Sequence, residues 1–120
     1  MRTRTIVAAV LAMAASAATA DELDDARRLA VSGRDSYWNC LAREYQREDN
    51  KNLSGQDFTS LVAGVCPSER QNFRVALVDY LSQQFSGVDA GDPMSTANNA
   101  IAAAQKDVVT AFVRHKATAK

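Results

Sequence analysis

Residues 21–48 read DELDDARRLAVSGRDSYWNCLAREYQRE, and this stretch decides the fold. Leu23, Ala26, Ala30, Tyr37, Leu41 and Tyr45 recur at steps of three, four or seven, the repeat of one helix face rather than the alternation of a strand. Asp21, Glu22, Asp24 and Asp25 fill the first turn, where negative charge suits the positive end of the helix dipole. Gly33 interrupts the pattern at a cost of about 1 kcal/mol relative to alanine and marks a place for the helix to loosen or bend. The polar stretch Glu48-Asp-Asn-Lys-Asn-Leu-Ser-Gly55 then closes the helix as a loop.

Outward from this helix, three more segments repeat with helical spacing and none alternates like a strand. Ser54 with Asp57 three residues on makes a capping signal, and Phe58, Leu61, Val62, Val65 and Cys66 form the short apolar face that follows. Pro67 ends that face, because proline disfavours helical geometry in the residue before it. A third helix is expected over residues 68–86, with Ser68 and Gln71 as its capping box, Phe73, Leu77, Tyr80, Leu81 and Phe85 on one side, and Gly87 as its C-terminal cap. Asp92-Pro93 then places an N-cap before a proline at the first helical position. The seam of this fourth helix is Met94, Ala97, Ile101, Ala104, Val108, Ala111 and His115, mostly small residues that let a neighbour approach closely. The repeat is near the lower limit for a coiled coil, so an ordinary bundle helix is expected.

These segments predict an all-α fold, a small bundle of three to four helices over residues 21–115, with residues 116–120 as a frayed tail. The aromatic-rich early helices should build the core and the alanine-rich fourth should lie across it. In the pair Tyr37-Trp38, adjacent helical positions point about 100° apart, so both rings cannot face one core stripe. One of them is expected at a groove edge, which makes Tyr37 and Trp38 the candidate binding surface.

The N-terminus has another character. Met1-Arg2-Thr3-Arg4 is basic, residues 6–15 are uncharged, and Ala18 and Ala20 stand at the small-residue positions before a cut. Together they have the parts of a cleaved secretory signal peptide, residues 1–20, and the run is too short to span a bilayer. The expected location is the periplasm or the secreted fraction. The whole chain balances 14 Lys and Arg against 14 Asp and Glu; without residues 1–20 there are 12 against 14, a formal charge of −2. That balance excludes a strongly basic nucleic-acid binder and a polyacidic tail, and the apolar content excludes disorder.

Export decides the reading of Cys40 and Cys66. An oxidising compartment favours a disulfide, and two cysteines allow a single intramolecular pairing. Closing a loop of this length is worth roughly 3 kcal/mol in the chain-entropy model. A redox-active pair usually requires Cys-x-x-Cys, which this spacing does not supply. The one histidine, His115, lies far along the chain and does not complete a metal-ligand set of the usual spacing.

No catalytic motif stands out. There is no Gly-x-Ser-x-Gly elbow to supply a nucleophile for His115, and neither glycine-rich phosphate loop is present. Glu44 and Glu48 share a helix face, but Arg43 and Arg47 flank them as a solvated charged surface does. The loop from Glu48 to Asp57 lacks the calcium-loop register, because Lys51 or Leu53 falls where an oxygen ligand or a glycine is needed. The expectation is therefore a protein without enzymatic activity, cofactor or metal.

Cys40 and the run Cys66-Pro-Ser-Glu69-Arg-Gln-Asn-Phe73-Arg74 resemble small uncharacterised helical proteins of the alphaproteobacterial periplasm, a resemblance that brings no activity. Trp38-Asn-Cys40 and Cys66 with Arg70-Gln-Asn-Phe73-Arg74 also look like the cysteine neighbourhoods of the periplasmic acid-stress chaperones, although here the cysteines are closer together. That likeness implies release of apolar surface in acid, when protonated carboxylates leave the basic groups uncompensated. The expected function is an exported noncatalytic module that binds an envelope or secreted protein, with an acid-stress or holdase chaperone as the alternative.

Overall fold

The computed structural model describes residues 20–84 and 91–118. Residues 1–19 of the expected signal peptide, Phe85 and Gly87 lie outside the described residues. The chain forms α1 (Ala20–Gln46), a short 3-10 turn (Glu48–Asn50), α2 (Gly55–Gly64), α3 (Pro67–Gln84) and α4 (Pro93–Thr118), with no strand among the described residues. It is an all-α bundle with a disulfide between Cys40 and Cys66, whose Cα atoms are 6.1 Å apart.

Contacts between named residues give the helix directions. Cys40 meets Cys66 while Tyr37 meets Phe73, so α1 and α3 run antiparallel. Tyr37 meets Gln105 and Tyr45 meets His115, so α4 runs alongside α1 in the same direction. The short α2 covers the far half of α4 through Phe58 and Phe112, whose rings stack with centroids 3.9 Å apart.

The core takes Ala26, Ala30, Tyr37 and Leu41 from α1, Phe58 and Val62 from α2, Phe73 from α3, and Ala97, Ile101, Ala104, Val108 and Phe112 from α4. On α1 the expected stripe is confirmed in its centre, while Leu23 and Tyr45 at its ends are half-buried. On α4 the stripe departs from the expected seam. Met94 and His115 are exposed, and the last buried residue is Phe112 rather than Ala111. The final step from Val108 is four residues where a heptad takes three, because the Phe58 ring of α2 draws the larger side chain inward. The core is thus not left to the aromatic residues of the earlier helices.

Gly33 does not bend α1, which is continuous through it. A Cβ at this position would lie 3.0 Å from the Phe73 Cα, so the missing side chain lets the α3 backbone come close.

Two of the expected helix starts have their caps. The Ser54 side chain accepts from the Asp57 N–H at 3.0 Å, and Asp92 Oδ1 accepts from the Met94 N–H at 3.0 Å. The third differs: α3 begins at Pro67, one residue before the expected Ser68, and Gln71 accepts from Arg74 instead of closing a capping box. Proline at the first helical position needs no N–H partner and its fixed φ suits the helix. Cys66 just before it has φ of 57°, a left-handed turn into α3. At the other end of the chain, the expected tail is helical as far as Thr118, and Lys116 donates to the Leu53 carbonyl, tying α4 to the segment before α2.

The α1 terminus is built on Asn50, which is buried and donates from Nδ2 to the Glu44 carbonyl at 2.8 Å and to Glu44 Oε2 at 3.0 Å. The Glu44 carbonyl, which the end of the helix leaves with only a 3.4 Å bond from the Arg47 N–H, thereby gains a shorter one. No helix among the described residues is long and apolar enough to cross a membrane.

Candidate functional site

The two candidate surface aromatics are separated by the helix as the 100° step requires, but the division is one-sided. Tyr37 is fully buried, with its hydroxyl accepting from Gln105 Nε2 at 3.0 Å and its ring 6.3 Å from that of Phe73. It therefore belongs to the core and not to a binding surface. Trp38 is half-buried and packs against the core's edge.

An open surface with exposed aliphatic side chains lies instead on a neighbouring face of α1. Leu29, Ser32, Gly33, Ser36, Asn39 and Arg43 follow one another at helical steps, and α3 supplies the facing wall with Glu69, Asn72, Val75, Ala76 and Asp79. They enclose an open trough of about 800 Å³ to which α4 contributes no residue. Leu29 and Val75 are 62% and 58% exposed, high values for large aliphatic side chains that line one trough. The antiparallel pairing of α1 and α3 sets Asp79 near the Leu29 end and Arg43 at the cysteine end. Neither residue makes an ion pair among the described residues, although Asp79 accepts from Gln83 at 3.0 Å. Small residues at the trough floor follow from the close approach of Gly33 to Phe73, which leaves the flanking side chains standing above it.

A second cleft, of about 570 Å³, lies between the end of α4 and the turn after α1. Its ring walls are Tyr45, Phe112 and His115, and the Tyr45 and His115 rings meet edge to face with centroids 5.7 Å apart. The basic groups here are already engaged. Lys51 pairs with Glu48 at 3.7 Å, Arg47 with Glu44 at 3.4 Å and Asp49 at 3.5 Å, and the Lys116 ammonium sits 5.5 Å from the centre of the Phe112 ring. Cations at this end also suit the carbonyl termini of α1 and α4. Glu44 and Glu48 are not brought together as a carboxylate pair, since α1 stops at Gln46 and Glu44 is held by Asn50.

At the disulfide, Cys40 is half-exposed in the second half of α1 and Cys66 is buried just before α3. Glu69, in the first turn of α3, joins them: its carboxylate and both sulfurs lie within 4.8 Å of one another. Spacing along the chain did not reveal this grouping, because Cys40 comes from a different helix. The sequence signal that could have found it is the three-residue step from Cys66 to Glu69, which places both on one side of the α3 start. The chain matches no protein-family model, no curated protein and no solved structure.

Proposed function

We propose that this protein is an exported, noncatalytic helical module whose α1–α3 trough receives an amphipathic helix from an envelope or secreted partner protein. The observation that carries the reading is the pair of exposed aliphatic side chains, Leu29 of α1 and Val75 of α3, lining one open trough between the two helices. Helix-in-groove recognition uses apolar side chains spaced three or four apart, which such a trough accommodates between its walls. Asp79 favours a helical partner with a basic residue at that end, while the other end, where Arg43 and Glu69 both line the trough, is mixed in charge. Covering each aliphatic side chain is worth at most about 1.5–3 kcal/mol, so a reversible complex is expected rather than an obligate one. Export is supported by the basic, apolar and small-residue sections of residues 1–20.

A photo-crosslinking amino acid at position 75 of the exported protein, followed by sequencing of the crosslinked peptide, tests the reading. A partner peptide with helical apolar spacing, lost on Arg43→Glu, supports it. Crosslinks spread over many unrelated chains in acid, indifferent to Arg43→Glu, assign the holdase alternative instead.

A further inference from the structure

Glu69 lines the cysteine end of the trough, and its grouping with Cys40 and Cys66 has a chemistry of its own beside the docking role. Glu69 is half-buried, yet it makes no hydrogen bond or ion pair among the described residues, and its carboxylate lies within 4.8 Å of both sulfurs. Cys66 is fixed at the start of α3: its carbonyl accepts from the Arg70 N–H at 2.9 Å, and Pro67 follows it directly. The helix terminus at this point favours an anionic sulfur. Cys40 and Glu69 are both partly open to solvent.

We propose that the reduced form of this protein binds a zinc ion through Cys40 Sγ, Cys66 Sγ and a Glu69 carboxylate oxygen, with water in the fourth position. Zinc takes thiolate and carboxylate ligands in a tetrahedral shell with sulfurs at about 2.3 Å, which sets two ligating sulfurs about 3.8 Å apart. The sulfurs must therefore separate from bonding distance, and the half-exposed Cys40 side chain has room to turn. The helices need not move with it, because α1 and α3 are also joined where Gly33 meets the Phe73 backbone and where Tyr37 packs against the Phe73 ring.

The redox step balances with a dithiol as reductant. One reductant thiolate attacks a sulfur of the bond, its second thiol displaces the mixed disulfide, and the reductant leaves as its own disulfide. Cys40 and Cys66 gain two electrons and two protons, and zinc binding then releases those two protons as the thiolates ligate. The bond and the metal thus exclude one another at the same pair of sulfurs.

The test uses the mature chain reduced with a phosphine, exchanged under inert gas, titrated with Co²⁺ as a spectroscopic probe and then with Zn²⁺. The expected result is one ion per chain, with sulfur-to-cobalt charge-transfer absorption and tetrahedral d–d bands that zinc abolishes. Oxidised protein should show neither, and Cys40→Ser should lose the charge-transfer bands. Glu69→Gln should keep sulfur ligation but weaken zinc about tenfold or more, the scale on which even supporting residues of zinc sites act. The proposal is overturned if reduced protein binds zinc no better than oxidised protein, or if Glu69→Gln binds as tightly as the native chain. Loss of far-UV helicity on reduction before metal is added also overturns it, since the scaffold would then not hold the ligands.

Discussion

Gly33 and Phe73 set the distance between the two helices that form the trough: a single added Cβ at Gly33 would lie 3.0 Å from the Phe73 Cα and 3.5 Å from its Cβ. On an isolated helix, Gly33→Ala would gain about 1 kcal/mol of helix propensity. Here the methyl meets backbone, which cannot turn aside as a flexible side chain does, and overpacking of this kind costs about 1–3 kcal/mol. Gly33→Ala should therefore lower the urea midpoint, and a raised midpoint would show that the approach of the helices is slack.

Phe112 should matter far more than its neighbour. Removing a buried phenylalanine costs about 3–5 kcal/mol, and Phe112→Ala also leaves the Phe58 ring without its stacking partner. Ala111 is exposed, so Ala111→Ser should change stability by no more than about 0.5 kcal/mol. Chemical denaturation of the two variants checks the side of α4 that faces the core, and equal effects would refute the assignment.

The contrast between these residues shows what periodicity conveys. The four helices, the cysteine pair and the caps at Ser54 and Asp92 were legible because each rests on local chemistry within a few residues. Ala111 and Phe112 are adjacent, and the difference between a 3.5 and a 3.6 repeat is too small over one helix to choose between them. The choice is made by Phe58, which lies on another helix. The same holds for Gly33, read as a weak point until the Phe73 backbone is placed against it, and for Glu69, which meets Cys40 only through the fold. The helical step separates Tyr37 from Trp38, but which ring turns inward depends on Gln105 and Phe73.

Asn50 tests how the end of α1 is held. Its side-chain amide is buried and bonds both the carbonyl and the carboxylate of Glu44. Asn50→Ala leaves the carbonyl only the long 3.4 Å bond from the Arg47 N–H and should cost about 1–3 kcal/mol, read by thermal unfolding. Asn50→Asp should cost at least as much, because it sets a second negative charge against Glu44. A neutral result for both would mean that water replaces the amide.

Breaking the disulfide should lower stability without dissolving the bundle. The chain-entropy estimate for a loop of this length is roughly 3 kcal/mol, below the usual 5–15 kcal/mol total for a domain. Cys40→Ser/Cys66→Ser should therefore stay helical in buffer and unfold at lower urea. A chain that is unfolded without denaturant would contradict the view that packing around Tyr37 and Phe73 carries the fold.

If the α1–α3 trough is the protein's docking surface, the crosslinked partner segment, made as a peptide, binds there. Titration calorimetry should compare native protein, the double variant Leu29→Asp/Val75→Asp, and Met94→Asp, which is exposed outside the trough. The double variant should keep its helicity and lose affinity about tenfold or more, each tenfold being about 1.4 kcal/mol, while Met94→Asp binds like the native chain. Equal affinity for the native protein and the double variant would contradict the account.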